Sequence, residues 1–207
     1  MEKCVIFCAA DFDSLAAPIE PNTLVIAADG GLRHTQSLGI EPDVILGDFD
    51  SLGYVPENSR VFPVEKDDTD AMLAARLGLE KGAKEFVFYG GLDGPRLDHT
   101  VANFQTLQFL ADRGAKAYLV GKEQIVTVLK DGTIHFPADF SGILSAFCMG
   151  KDAIGVSIRG LHYELENGVL SAGFPLGVSN HFVGKTAEIS VKNGSLLLIW
   201  DRINGIK

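Results

Sequence analysis

Basic side chains are scarce: 18 Lys and Arg stand against 27 Asp and Glu in 207 residues, a formal charge of −9. Recognition of a nucleic-acid backbone normally shows as a basic excess or stripe, so no nucleic-acid partner is expected. Long apolar runs are missing too. None approaches the roughly 18 residues that cross a bilayer, and Met1-Glu2-Lys3-Cys4-Val5 does not open like a signal peptide. The expectation is a cytoplasmic protein with no membrane contact. Cysteine is limited to Cys4, Cys8 and Cys148, an odd set in apolar segments that fits buried, reduced thiols. Neither cysteine nor histidine clusters at zinc-ligand spacing. Repeats, low-complexity tracts and Pro/Ser-rich linkers are likewise absent from the sequence.

Two familiar nucleotide motifs are missing. No G-x-G-x-x-G follows an apolar run, which argues against a Rossmann dinucleotide site. The nearest approach to a Walker A loop is Ser179-Asn180-His181-Phe182-Val183-Gly184-Lys185-Thr186. It lacks the first glycine and stands in a β-rich stretch with no helix after it, so any ATP chemistry must use another device.

What is present divides into two textures. At roughly 150 residues per domain, the length allows one large domain or two small ones. In the first part, short continuous apolar runs at 4–9, 24–28, 43–46, 86–89 and 117–120 suit strands buried on both faces, as in a parallel sheet. Helical patterns alternate with them. One follows Thr69, a good N-cap, with Leu73 and Leu77 at i, i+4, Met72 and Leu79 at i, i+7, and Gly82 as the stop; another spans about 100–111, with Val101, Phe104 and Ala111 on one stripe. From about Gln124 the segments become short and alternating, at 125–129, 142–147, 155–158, 161–165, 187–191 and 196–200. Asp131-Gly132, Asn167-Gly168 and Asn193-Gly194 read as tight hairpins between several of them. The predicted architecture is an α/β domain with a mainly parallel sheet over 1–122, followed by a small antiparallel β-sandwich over 123–207.

Ligands of an open α/β sheet bind at the carboxyl ends of its strands. Here those ends run into Asp29-Gly30-Gly31, Gly47-Asp48-Phe49-Asp50-Ser51, Lys66-Asp67-Asp68-Thr69-Asp70 and Gly90-Gly91-Leu92-Asp93-Gly94-Pro95-Arg96-Leu97-Asp98. Singly, each reads first as a turn or a helix cap. Asp48 and Asp50 say more. In an extended segment residues two apart point the same way, so two carboxylates would meet with Phe49 turned to the core. Crowded like charges are unfavourable unless a cation lies between them, and hard oxygen ligands at a strand end suit Mg²⁺ completed by phosphate and water. The pattern points to metal-assisted phosphate chemistry.

These residues, in this order and spacing, resemble the thiamine pyrophosphokinase family. The resemblance rests on Ala28-Asp29-Gly30-Gly31 with His34, Gly39-Ile40-Glu41-Pro42-Asp43 leading into Gly47-Asp48-Phe49-Asp50-Ser51, and Lys66-Asp67-x-Thr69-Asp70. It continues with Gly90-Gly91-x-x-Gly94-x-Arg96-x-Asp98-His99-Thr100 and Asn103, then Gly160-Leu161-His162-Tyr163-Glu164-Leu165 and Gly177-Val178-Ser179-Asn180. It covers most of the chain, least well at 18–23 and 133–150.

The resemblance implies an α/β catalytic domain and a β-sandwich working as a homodimer, with thiamine between one subunit's first domain and its partner's second. It implies pyrophosphoryl transfer from ATP to the thiamine hydroxyl, releasing AMP, with Mg²⁺. On this reading Asp48, Asp50 and Asp70 hold the metal, and Asp29 joins the acidic catalytic cluster. Lys66, Thr69, Arg96, Asp98 and Asn103 serve ATP; Ser179 and Asn180 touch thiamine, with Phe182 as an aromatic wall. His181 stands where many relatives are expected to carry an acid, while Trp200 reads as core. Arg96 can fork two polyphosphate oxygens as Lys cannot. Either Asp70 or Asp29 can accept the hydroxyl proton. The alternatives are a pyrophosphokinase acting on another heterocyclic alcohol, such as a hydroxymethyl-pterin, and a non-catalytic thiamine or nucleotide binder.

Overall fold

The computed structural model describes residues 2–63 and 67–206. Lys3–Phe7 and Leu24–Ala28 form strands β1 and β2, with almost every residue buried, as continuous apolar runs require inside a parallel sheet. Helix α1 (Leu32–Ser37), strands β3 (Val44–Gly47) and β4 (Arg60–Val61), and helix α2 (Asp70–Glu80) follow. The first unit continues through β5 (Glu85–Tyr89), α3 (Leu97–Ala111) and β6 (Lys116–Val120). Its strands stand in the order β6-β5-β1-β2-β3-β4, every pairing parallel. The chain runs outward from β1 through β4, then returns to the other side of β1 with β5. The β1/β5 boundary is therefore the topological switch point, where a crevice opens beyond the carboxyl ends.

Both long helices begin and end near the predicted places but bury other faces. Helix α2 turns Ala71, Ala74, Ala75 and Gly78 inward together with Leu77, while Met72, Leu73 and Leu79 are half-buried. Small residues let the helix lie close to the sheet: a Cβ at Gly78 would stand 2.4 Å from a Phe86 ring carbon. Helix α3 buries Asn103, Thr106, Leu107 and Leu110, and the predicted stripe member Val101 is exposed.

The second unit, 123–207 by its internal contacts, carries eight strands among the described residues. They are β7 (Gln124–Lys130), β8 (Thr133–Phe136), β9 (Ile143–Cys148), β10 (Ala153–Arg159), β11 (Leu165–Leu170), β12 (Gly177–His181), β13 (Ala187–Ser190) and β14 (Ser195–Asp201). One antiparallel group runs β12-β9-β14-β7 and the other β11-β10-β13-β8. Trp200, Phe136, Phe140 and Phe182 fill the core with ring centroids 5.5–5.8 Å apart.

None of the three predicted hairpins joins paired strands. Asp131-Gly132 carries the chain from β7 to β8, and Asn193-Gly194 from β13 to β14, each a step from one group of strands to the other. The two corners hold each other: Gly194 N–H donates to Asp131 Oδ1 at 2.8 Å, and Val191 N–H to Gly132 O at 2.9 Å. Asn167-Gly168 lies inside β11, where Asn167 adopts φ 48° beside register shifts of the β10–β11 ladder. Asn and Gly tolerate left-handed backbone equally in a turn and in a bulge, so the dipeptide cannot distinguish them. Nor is 161–165 a strand: Leu161 makes only an isolated bridge, to Phe182.

Candidate functional site

A cavity of about 540 Å³ opens at the carboxyl ends of β1, β2, β3 and β5, and the first turns of α2 and α3 contribute to it. Its floor depends on close backbone approach. A Cβ at Gly31 would stand 1.9 Å from the Phe7 carbonyl oxygen, and one at Gly90, at φ 67°, 2.4 Å from that of Cys8. Glycine alone lets these two loops cross the end of β1.

Asp29, Asp48 and Asp50 bring one carboxylate oxygen each to within 4.8 Å of one another. The route differs from the extended one predicted. Strand β3 ends at Gly47, and Phe49 takes φ 63°, with its ring buried and Asp48 Oδ1 accepting from Asp50 N–H at 3.2 Å. A tight turn, not a pleat, presents the two acids. Asp29 also has positive φ, 48°, and its Oδ1 is buried with no hydrogen-bond partner among the described residues. Backbone conformations of this kind gather where geometry is dictated by function. A buried carboxylate oxygen left unpaired beside two further acids fits a hard divalent cation such as Mg²⁺, since the donor set is all oxygen. The acid completing this trio is Asp29; Asp70 lines the same cavity from the start of α2, outside the trio.

Thr69 caps α2, its hydroxyl accepting from Met72 N–H at 3.2 Å, and also lines the cavity. Asn103 is buried and donates through Nδ2 to Gly91 O at 2.7 Å, tying α3 to the Gly90–Gly91 loop at the cavity wall. Arg96 lines the cavity and Asp98 does not: the Asp98 carboxylate takes both Nε (3.2 Å) and Nη2 (2.5 Å) of Arg96. That pairing holds Asp98 below the usual carboxylate range and raises the guanidinium of Arg96. Lys66 lies outside the described residues. Cys8 lines the cavity, and burial pushes its thiol up to about 12, which disfavours the thiolate. The sequence reading passed over Cys8, Ala9 and Ala10, which line the cavity after β1; their one signal is a change from bulky to small residues at a strand end.

In the second unit Ser179 is exposed at an irregularity of β12, with φ 58° and its N–H donating to Ser145 Oγ at 3.0 Å. Asn180 is buried, and its amide is spent on the backbone: Oδ1 accepts from Tyr163 N–H at 3.0 Å and His181 N–H at 2.9 Å, while Nδ2 donates to Tyr163 O at 2.7 Å. Phe182 corrects the reading of it as a wall for a ligand. It is 7% exposed and lies 5.5 Å from both Phe136 and Phe140 in the core, because it falls on the inward side after Asn180.

A parallel α/β unit with an oxygen-only acid trio and an arginine at its switch point, followed by an antiparallel β unit, fits an enzyme that transfers phosphate groups. Residues 15–119 match the family model "Thiamin pyrophosphokinase, catalytic domain", and 132–196 match "Thiamin pyrophosphokinase, vitamin B1 binding domain". The chain belongs to the thiamin pyrophosphokinase family. It is 28% identical to a thiamine pyrophosphokinase of Bacillus subtilis (strain 168), over 87% of this chain and 88% of that one. The crystal structure of a thiamine pyrophosphokinase from Bacillus subtilis superimposes with a TM-score of 0.85 at 25% identity, covering 96% of this chain and 98% of the other. The thiamin pyrophosphokinase from Candida albicans shares the fold, with a TM-score of 0.74 at 16% identity over 97% of this chain and 89% of that one.

Proposed function

We propose that the chain transfers the pyrophosphoryl group of ATP to the hydroxyl of thiamine, giving thiamine diphosphate and AMP. The observation that carries this reading is the Asp29–Asp48–Asp50 trio in a cavity at the switch point, within the segment that matches the family's catalytic model. These three carboxylates would hold Mg²⁺, which when bound neutralises polyphosphate charge. Arg96 is supported as the fork for phosphate oxygens, since it reaches the cavity with its guanidinium already oriented by Asp98. Thr69 and Asn103 line the same cavity and are proposed to serve ATP, and Lys66, outside the described residues, keeps its proposed role toward ATP from the sequence.

In the transfer the thiamine hydroxyl oxygen bonds to the β-phosphorus while the bond from that phosphorus to the α–β bridging oxygen breaks, and AMP leaves with that oxygen. The hydroxyl proton passes to a cavity carboxylate, and Asp70 is the candidate that stands outside the cation-binding trio. On the thiamine side the exposed Ser179 is the proposed contact. The working form is a homodimer in which one subunit's catalytic unit meets the thiamine-binding unit of its partner, as the family resemblance implies.

Incubation with ATP, Mg²⁺ and thiamine, resolved by chromatography, should yield AMP and thiamine diphosphate one for one. ADP accumulating in step with phosphorylated thiamine would mean attack at the γ-phosphorus and defeat the assignment. Sedimentation should return twice the 22.2 kDa chain mass; a monomer that turns over normally would rule out the shared site.

A further inference from the structure

We propose that Arg76 is a positioning residue for the polyphosphate of ATP: it acts through Asp68, whose carboxylate it fixes at the cavity wall and whose charge it offsets. This rests on the proposed function and adds a cation that lies outside the cavity lining. Asp29, Asp48, Asp50, Asp68 and Asp70 all line the cavity, and Arg96 is the one Lys or Arg among the described lining residues. A bound Mg²⁺ would offset charge within the Asp29–Asp48–Asp50 trio, and Asp68 stands outside it. Left uncompensated, the Asp68 carboxylate would repel an incoming polyanion.

Arg76 supplies the compensation from two turns along α2. Asp68 directly precedes the Thr69 cap, and helical side chains lean toward the amino-terminal end of their helix, so a long side chain at position 76 reaches back to it. Arg76 Nε stands 3.0 Å from Asp68 Oδ2, and Nη2 donates to Oδ1 at 3.4 Å, so one guanidinium takes both oxygens. That guanidinium lies 4.7 Å from the centre of the Phe109 ring on α3, a ring that also carries Arg113 at 3.5 Å. An aromatic face attracts the cation and narrows the conformations open to Arg76. Exposed Asp–Arg pairs usually contribute little. This one differs in place and geometry: the Asp68 side chain is only 29% exposed, both of its oxygens are engaged, and it lines the cavity. The motif Lys66-Asp67-x-Thr69-Asp70 leaves position 68 open, so the pair is a feature of this chain and not of the motif.

The test reads the affinity of α,β-methylene-ATP by calorimetry at saturating Mg²⁺, with steady-state constants in parallel. Arg76→Gln keeps much of the side-chain stem and removes the charge. It should weaken binding of the analogue and raise KM for ATP about 3–10-fold, while KM for thiamine does not rise and kcat stays within about twofold. Because the cause is charge, the difference from wild type should shrink to within about twofold near ~0.5 M salt. Arg76→Lys should keep most of the affinity, and Asp68→Asn/Arg76→Gln should regain it even where the melting temperature stays low. Unchanged analogue affinity in Arg76→Gln overturns the proposal. So does a loss that persists at high salt or is not regained in the double variant, which would make the pair a structural brace for the start of α2. A wild type that binds the analogue in this Arg76-dependent way but forms no thiamine diphosphate would instead defeat the proposed reaction alone.

Discussion

Asp48→Asn and Asp50→Asn each lower kcat at least ~100-fold at saturating Mg²⁺, because each removes a charged oxygen from the trio that would neutralise the transferred phosphate. Both variants should fold. Three carboxylates within 4.8 Å repel one another when no cation is bound, and an amide relieves that repulsion. The melting temperature without Mg²⁺ should therefore hold or rise, while the stabilisation that added Mg²⁺ confers on wild type should shrink. Asn at Asp29 should behave alike, since the φ of 48° there suits Asn as well as Asp. Near-normal turnover in either Asp48→Asn or Asp50→Asn would remove the metal role from the β3 turn.

Phe182→Ala should act on stability instead. Deleting a phenyl ring packed between Phe136 and Phe140 leaves a cavity in the β unit and costs about 3–5 kcal/mol, read by urea or thermal unfolding. In the fraction that remains folded, KM for thiamine should shift little. A large KM change at wild-type stability would restore Phe182 as a ligand wall and refute its place in the core. Phe182→Leu, which refills most of the volume, should recover much of the loss in stability.

These outcomes mark where local sequence carries information and where it stops. Five strands of the parallel sheet were legible because continuous apolar runs of four to six residues have few other uses, whereas the two-residue β4 left no such run; Asp29, Asp48 and Asp50 were legible because they follow those runs closely. The buried faces of α2 and α3 were not. Large apolar residues draw the eye to Leu73 and Val101, whereas close packing on a sheet selects Ala and Gly on α2 and accepts Asn103 and Thr106 on α3 once their polar groups are bonded. The resemblance put Asp29 in the acidic cluster but gave the third metal position to Asp70; that Asp29 stands closest to Asp48 and Asp50 follows from the pairing of β2 with β3, a relation between segments. The same holds for His162 and His181, nineteen positions apart, which meet because the Leu161–Phe182 bridge, the bond from His162 N–H to His181 O and the Asn180 bonds to Tyr163 lay the 161–163 segment beside β12. Phe182 was misread because its neighbours in sequence, Ser179 and Asn180, suggested a surface, while its neighbours in space are a buried aromatic cluster.

Strand β14 pairs with β7 along one edge and with β9 along the other. During synthesis both flanking strands leave the ribosome well before the one that belongs between them. Until Ser195–Asp201 arrives, two apolar ladders stand open, each able to recruit a strand from a neighbouring chain. The β unit thus cannot be assembled piecemeal from its amino-terminal side. A ribosome stalled within residues 149–194 should release a nascent chain dependent on chaperones, while the parallel sheet of the catalytic unit, already translated in full, is free to close.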